Sequence, residues 1–219
     1  MPSSLDRFTR ADFEFMTAVL APGDKRRHLA KLWDDPDALK ELLDLKEVLR
    51  AVIDSPSALT ISPAFYFYVL IRHAFLQSNL DDPDLADYVS AVMAKRSALE
   101  SGDPLQDVAR GFTHAADFIS IISSAHGRMR FHLQVAAGNQ FLVLTGLFPG
   151  FIHRRGERRA TPDLGFYESF GRQAFKSAAD NPEAPANAPR RLLGNLAEAF
   201  PDARRSLNRI VEEFIFLGD

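Results

Sequence analysis

The sequence predicts an all-α protein: one globular domain over residues 1–219, built as a bundle of about eight to ten helices. Three observations predict it. Apolar residues recur at alternating steps of three and four, the period of one helix face. An acceptor side chain stands before proline at Asp35-Pro36, Ser62-Pro63, Asp82-Pro83, Asp103-Pro104 and Thr161-Pro162, which is the chemistry of a helix N-terminus. Only one segment, 128–145, offers a clean period of two.

Taken in order, helices are expected near 9–20, 24–33, 36–53, 63–79, 83–100, 104–126, 129–148, 163–180, 190–200 and 202–217. Over 36–53, Leu39, Leu42, Leu45, Leu49 and Val52 make one stripe. Residues 64–71 are apolar all round; their aromatic and β-branched content suits a strand, but Ser62-Pro63 starts a helix, so a buried helix is predicted. Leu105, Val108, Phe112, Ala115, Ile119 and Ile122 give a long stripe whose next member is His126. Over 128–145, Met129, Phe131, Leu133 and Val135 alternate with polar residues, and Gly138-Asn139 would suit a hairpin turn. The helical alternative runs through Leu133, Ala137, Phe141, Leu144 and Phe148. It is preferred because a lone hairpin finds no sheet to join. Pro182, Pro185 and Pro189 mark 181–189 as an exposed loop, and a basic loop fills 149–162. Leu207, Ile210, Phe214 and Leu217 form a final stripe, with Ile215 and Phe216 apolar outside it. The Asp-Asp-Pro-Asp sequence at 34 and again at 81 is explained by capping.

Composition fits a self-sufficient core. A chain of 219 residues buries roughly 70% of the surface its unfolded form exposes. Its 18 Phe, against 4 Tyr and 1 Trp, read first as core filler. With no cysteine, disulfides and thiolate chemistry are excluded, which fits a reducing compartment. No apolar leader follows Met1, and the run Ala64 to Ile71 is far shorter than the ~20 residues of a membrane span. A cytoplasmic protein without membrane contact is expected. The net charge of −3 gives no global attraction to nucleic acid.

The short motifs of common chemistries are missing. There is no glycine-rich phosphate loop, no Gly-x-Ser-x-Gly elbow, no Glu-x-x-His pair and no His-x-x-x-His. No cofactor and no metal is therefore expected. His114 with Asp117, and Asp24 with His28, stand at helical spacing and read as surface pairs. His126, at the end of its stripe, is the histidine most suited to be a buried base or ligand. His153-Arg154-Arg155-Gly156-Glu157-Arg158-Arg159 is the sharpest local excess of charge. Arg154, Arg155, Arg158 and Arg159 form a candidate anion site, read more simply as a solvated loop.

Phe141-Leu142-Val143-Leu144-Thr145-Gly146-Leu147-Phe148-Pro149, followed by Phe166-Tyr167-Glu168-Ser169-Phe170-Gly171-Arg172-Gln173-Ala174-Phe175, resembles a pattern in uncharacterised helical bacterial proteins. The resemblance covers about residues 140–178 and implies no activity, cofactor or functional residue. Physically, Gly171 and Ala174 among Phe166, Phe170 and Phe175 make a small-beside-large surface that admits another backbone. A pocket lined by Tyr167, Glu168 and Arg172, with His126, is the candidate ligand site.

Three functions stay open on these residues. The first is a non-enzymatic binding or regulatory protein acting through protein contacts, or through self-association by helix 202–217. The second is a small-molecule binder or enzyme with a Phe-rich cavity. The third, disfavoured, is a nucleic-acid accessory role for Arg154 to Arg159.

Overall fold

A computed structural model describes residues 3–21, 26–97, 115–153 and 162–214, and all regular structure among them is helical. The chain divides into two compact units, residues 2–99 and residues 100–219.

The N-terminal unit holds α1 (Arg10–Leu20), α2 (Arg26–Trp33), α3 (Pro36–Leu43), α4 (Lys46–Asp54), α5 (Pro63–Gln77) and α6 (Pro83–Ser97). Helix starts follow the acceptor rule closely. Asp35 accepts from the amides of Asp37 and Ala38, and Asp82 from those of Asp84 and Leu85, so both Asp-Asp-Pro-Asp copies are caps. Ser62 caps α5 through the Phe65 amide. The buried Asp12 carboxylate serves two helices at once. It accepts from the amide and hydroxyl of Thr9 at the start of α1, and from the amide and hydroxyl of Ser62 at the start of α5. α5 is the core element, buried from Tyr68 through Phe75, and its Phe65 and Tyr68 rings pack on Phe8.

The helix expected over 36–53 is two helices. Asp44 ends α3 and Leu45 is extended at the start of α4. The stripe shifts phase with the break: Leu39, Leu43, Val48 and Val52 are buried, while Leu45 is exposed. Tertiary bonds hold this break. Arg72 grips the Asp44 carboxylate with Nε at 2.8 Å and Nη2 at 2.7 Å. His73 Nε2 lies 3.0 Å from the Leu43 carbonyl oxygen, which identifies the ring nitrogen that donates when the imidazole is neutral.

The C-terminal unit holds α7 (Ala115–Ser124), α8 (Gly127–Leu147), α9 (Leu164–Ala179) and α10 (Arg190–Phe214), with a helical turn over 149–153. The segment 128–145 is helical, not a hairpin. The helices α8, α9 and α10 interlock through three glycines. A Cβ on Gly138 would meet the Phe175 ring at 2.6 Å, one on Gly171 the Phe200 ring at 2.6 Å, and one on Gly146 the Leu207 side chain at 2.7 Å. Each helix thus contributes a large side chain or an empty Cα that its neighbour needs. The small-beside-large pattern predicts a backbone beside Gly171, but side chains fill the space: the Phe200 ring, and Phe141 Cβ on α8, which would lie 3.0 Å from the added carbon. Phe141 is the hub of this core, stacked on Tyr167 with centroids 5.5 Å apart and edge-on to Phe118 and Phe170.

Residues 190–200 and 202–217 are not separate helices; α10 continues through Pro201. Proline in a helix interior costs about 3 kcal/mol, and the turns on both sides are held by buried Leu196, Phe200, Ala203 and Leu207. The stripe through Ile119 is also off by one position, since Phe118 is buried and Ile119 is 50% exposed. Residues 104–114, which would carry the first half of that stripe, lie outside the described residues.

Candidate functional site

The four candidate ligand residues occupy separate environments. α7 ends at Ser124, and His126 is the extended residue before α8, exposed and with no cap bond from its side chain. It is therefore a junction residue and not the end of an apolar stripe. Tyr167 is buried against Phe141. Glu168 accepts from Arg204 Nε at 2.5 Å. Arg204 Nη1 donates to Asn208 at 2.7 Å, and Asn208 donates to the carbonyls of Thr145 and Gly146 near the end of α8. Glu168 thus anchors a polar chain that ties α9, α10 and α8 together. Arg172, one turn beyond it, is exposed. No hydrogen bond or ion pair joins any two of the four among the described residues. Arg154, Arg155, Arg158 and Arg159 lie outside the described residues, as do His114, Asp24, Ile215, Phe216 and Leu217. Of the final stripe, Leu207 and Ile210 are buried.

The structure instead presents a groove on the C-terminal unit that no sequence motif marks. Its walls are one face of α7 and one face of α9, and its floor is α8. Its apolar part, a hollow of about 250 Å³, is lined by Ile119, Ile122, Phe170 and Ala174, with Arg130 and Gln134 on the floor. Arg130, Gln134 and Ser177 continue into a second hollow of about 350 Å³, lined also by Asp180, Asn181 and Glu183. Volumes of this order match small ligand clefts or a few side chains of a docked segment.

The polar end is built by long-range bonds. Asn181, expected in an exposed loop, is buried and donates to Gln134 Oε1 at 3.1 Å. Its own side-chain oxygen accepts from the Glu183 amide at 2.9 Å. Glu183 then reaches the Gly127 amide at 2.8 Å, supplying the first turn of α8 with the acceptor that His126 does not. Arg130 and Asp180 line the same hollow, and neither side chain pairs with any described residue. The sequence signal for this site was slight: Ile119 and Ile122 read as members of one buried stripe, and Phe170 and Ala174 as part of a small-beside-large packing surface.

A second polar cluster lies inside the N-terminal unit. Arg72, 5% exposed, bridges Asp44 and Asp81, the latter at 2.7 Å from Nη2. Burial alone would lower the guanidinium, but its bonds to Asp44 and Asp81 raise it above its usual value. Arg72 Nη1 and the Tyr68 hydroxyl, one turn apart on α5, are buried with no hydrogen-bond partner among the described residues. Burial pushes the Tyr68 phenol well above its ordinary range and the His73 imidazole below its own. Tyr68, Arg72 and His73 are buried in the core of this unit, while Asp81 is exposed.

Among the described residues, no group of three or more His, Cys, Asp or Glu is placed to hold a metal ion, and no helix is long and apolar enough to cross a membrane. Comparison of the chain with protein-family models, curated proteins and solved structures gave no match.

Proposed function

We propose that this chain is a non-enzymatic helical binding protein that holds another polypeptide, a partner protein or a second copy of itself, in the groove of the C-terminal unit. The observation that carries this reading is the groove's construction. Two helix faces flank a third helix and leave Ile119, Ile122 and Phe170 only partly covered. Covering such side chains stabilises a complex by about 25 cal/mol for each Å² of apolar surface removed from water. A groove walled by helices is a common seat for a further helix. Glu168, the best acidic handle for catalysis, is engaged by Arg204, which also favours binding over chemistry. A cytoplasmic location belongs to the same reading, on the absence of cysteine.

The test places a photo-crosslinking amino acid at Gln173, a groove residue exposed to solvent, in the full chain. Irradiation is run on the pure protein and in extract of its native cell, beside light scattering over a range of concentrations. A polypeptide adduct that disappears in Ile119→Glu is the expected result. A monomer at every concentration, with no groove-dependent adduct, overturns the proposal.

A further inference from the structure

Resting on that reading, we infer that the groove's occupant is an amphipathic helix of a partner protein, apolar along one stripe and basic at one end. The geometry of the walls selects a helix. Ile119, Ile122 and Ser123 on α7 and Phe170, Gln173, Ala174 and Ser177 on α9 recur at steps of three and four. They form ridges of the kind that accept the side chains of another helix.

The charges orient the occupant. The groove follows α9 from Phe170 to Asp180, and at 1.5 Å per residue these ends lie about 15 Å apart. At the far end stand the carboxylates of Asp180 and Glu183. The C-terminal end of α9 adds a negative partial charge, reduced because Arg190 Nη1 donates to the Ala179 carbonyl at 3.0 Å, and the positive N-terminal end of α8 opposes it through the Gly127 amide that Glu183 accepts. Arg130 stands at this same end, since its neighbours on α8, Gly127 and Gln134, bond Glu183 and Asn181; it lines both hollows and pairs with no described residue. The complement is a helix with apolar residues at one end and lysine or arginine about three turns along. Two carboxylates against one guanidinium also disfavour an anionic lipid or a nucleic acid in this groove.

Two synthetic helical peptides test the inference on the full chain by fluorescence anisotropy at low salt. Both carry leucines at i, i+3 and i+7; one ends in two lysines, the other in two glutamates. The basic peptide is expected to bind about tenfold more tightly, with the difference shrinking at high salt. In Asp180→Lys the preference reverses, and in Asp180→Asn it is reduced. Asp180 is exposed, so circular dichroism should stay that of the parent chain in both. Equal binding of the two peptides, or a preference unchanged in Asp180→Lys, overturns this inference while leaving the groove a binding surface. If neither peptide binds and the crosslinker at Gln173 captures no polypeptide, the proposed function falls and the inference with it.

Discussion

The ring of Phe200 occupies the space that a side chain on Gly171 would need, with Cζ 2.6 Å from where a Cβ would stand. Both residues are buried, and Phe141 closes the other side. Alanine at 171 must therefore displace an aromatic ring that is itself packed against Phe175, 6.0 Å between centroids. The expected loss for Gly171→Ala is about 1–3 kcal/mol in chemical denaturation, despite alanine's better helix propensity. Gly194 supplies the contrast, since its nearest neighbour would be 4.0 Å from the new carbon. Gly194→Ala is expected to gain about 0.5–1 kcal/mol. Equal effects at the two sites would show that the close approach at Gly171 is not what holds α9 on α10.

The chain from Glu168 through Arg204 to Asn208 predicts a coupled effect. Glu168→Gln is expected to cost about 2 kcal/mol, the scale of a hydrogen bond to a charged group. Asn208→Ala is expected to cost about 1 kcal/mol through the lost carbonyl contacts. Together they should cost less than the sum, because Arg204 links them. Strict additivity in the double-mutant cycle would mean that Arg204 serves the two partners independently.

Asp12 joins the starts of two helices, accepting from both Thr9 and Ser62. Asp12→Ala leaves four donors without their carboxylate and is expected to lower stability by about 3 kcal/mol. Ser62→Ala, which removes one hydroxyl and one cap, should cost about 1 kcal/mol. A mild Asp12→Ala, near the value for Ser62→Ala, would contradict the double role.

Stability should fall as acid reaches His73. Burial lowers the imidazole from its ordinary 6.5, with Lys46 and Arg72 adding to that and Asp44 and the Leu43 carbonyl opposing it. Between the folded value and 6.5, the unfolded chain binds the proton more readily than the folded one, so stability is gained as pH rises through that window and lost as pH falls. His73→Gln retains a donor for the Leu43 carbonyl but cannot titrate. Denaturation midpoints from pH 7.5 to 5 should decline less steeply in His73→Gln than in the parent. Asp87 works in the opposite sense: burial raises its carboxyl above 3.8, and the stability it contributes is lost as pH rises. Identical slopes in parent and His73→Gln would remove His73 as the cause.

Among the described residues, helix identity was legible where a local signal exists. The caps at Asp35, Ser62 and Asp82 are bonds between a side chain and amides two or three residues on, so neighbouring letters suffice; after Thr161-Pro162 the cap is Asp163, one residue past the proline. The preference for helix over hairpin at 128–145 rested on the missing partner strands, and Gly138 there receives Phe175 instead of turning the chain. The break at Asp44 was not legible, because the residues that hold it, Arg72 and His73, lie 28 and 30 positions away from their partners. The same holds for Glu168, whose partner is 36 positions on; spacing alone would have paired it with Arg172 one turn away.

The sequence by itself determined that the chain is helical, where most helices start, and that phenylalanine fills the interior, because those properties follow from periodicity, capping and the free energy of burial. Tertiary structure alone decided where α3 stops, that α10 runs through Pro201, and which polar side chains are consumed in holding helices together. It also decided that Ile119, Arg130, Phe170 and Asp180 meet along one groove. A groove is a relation between surfaces of separate helices, and no single stretch of chain carries the information for it.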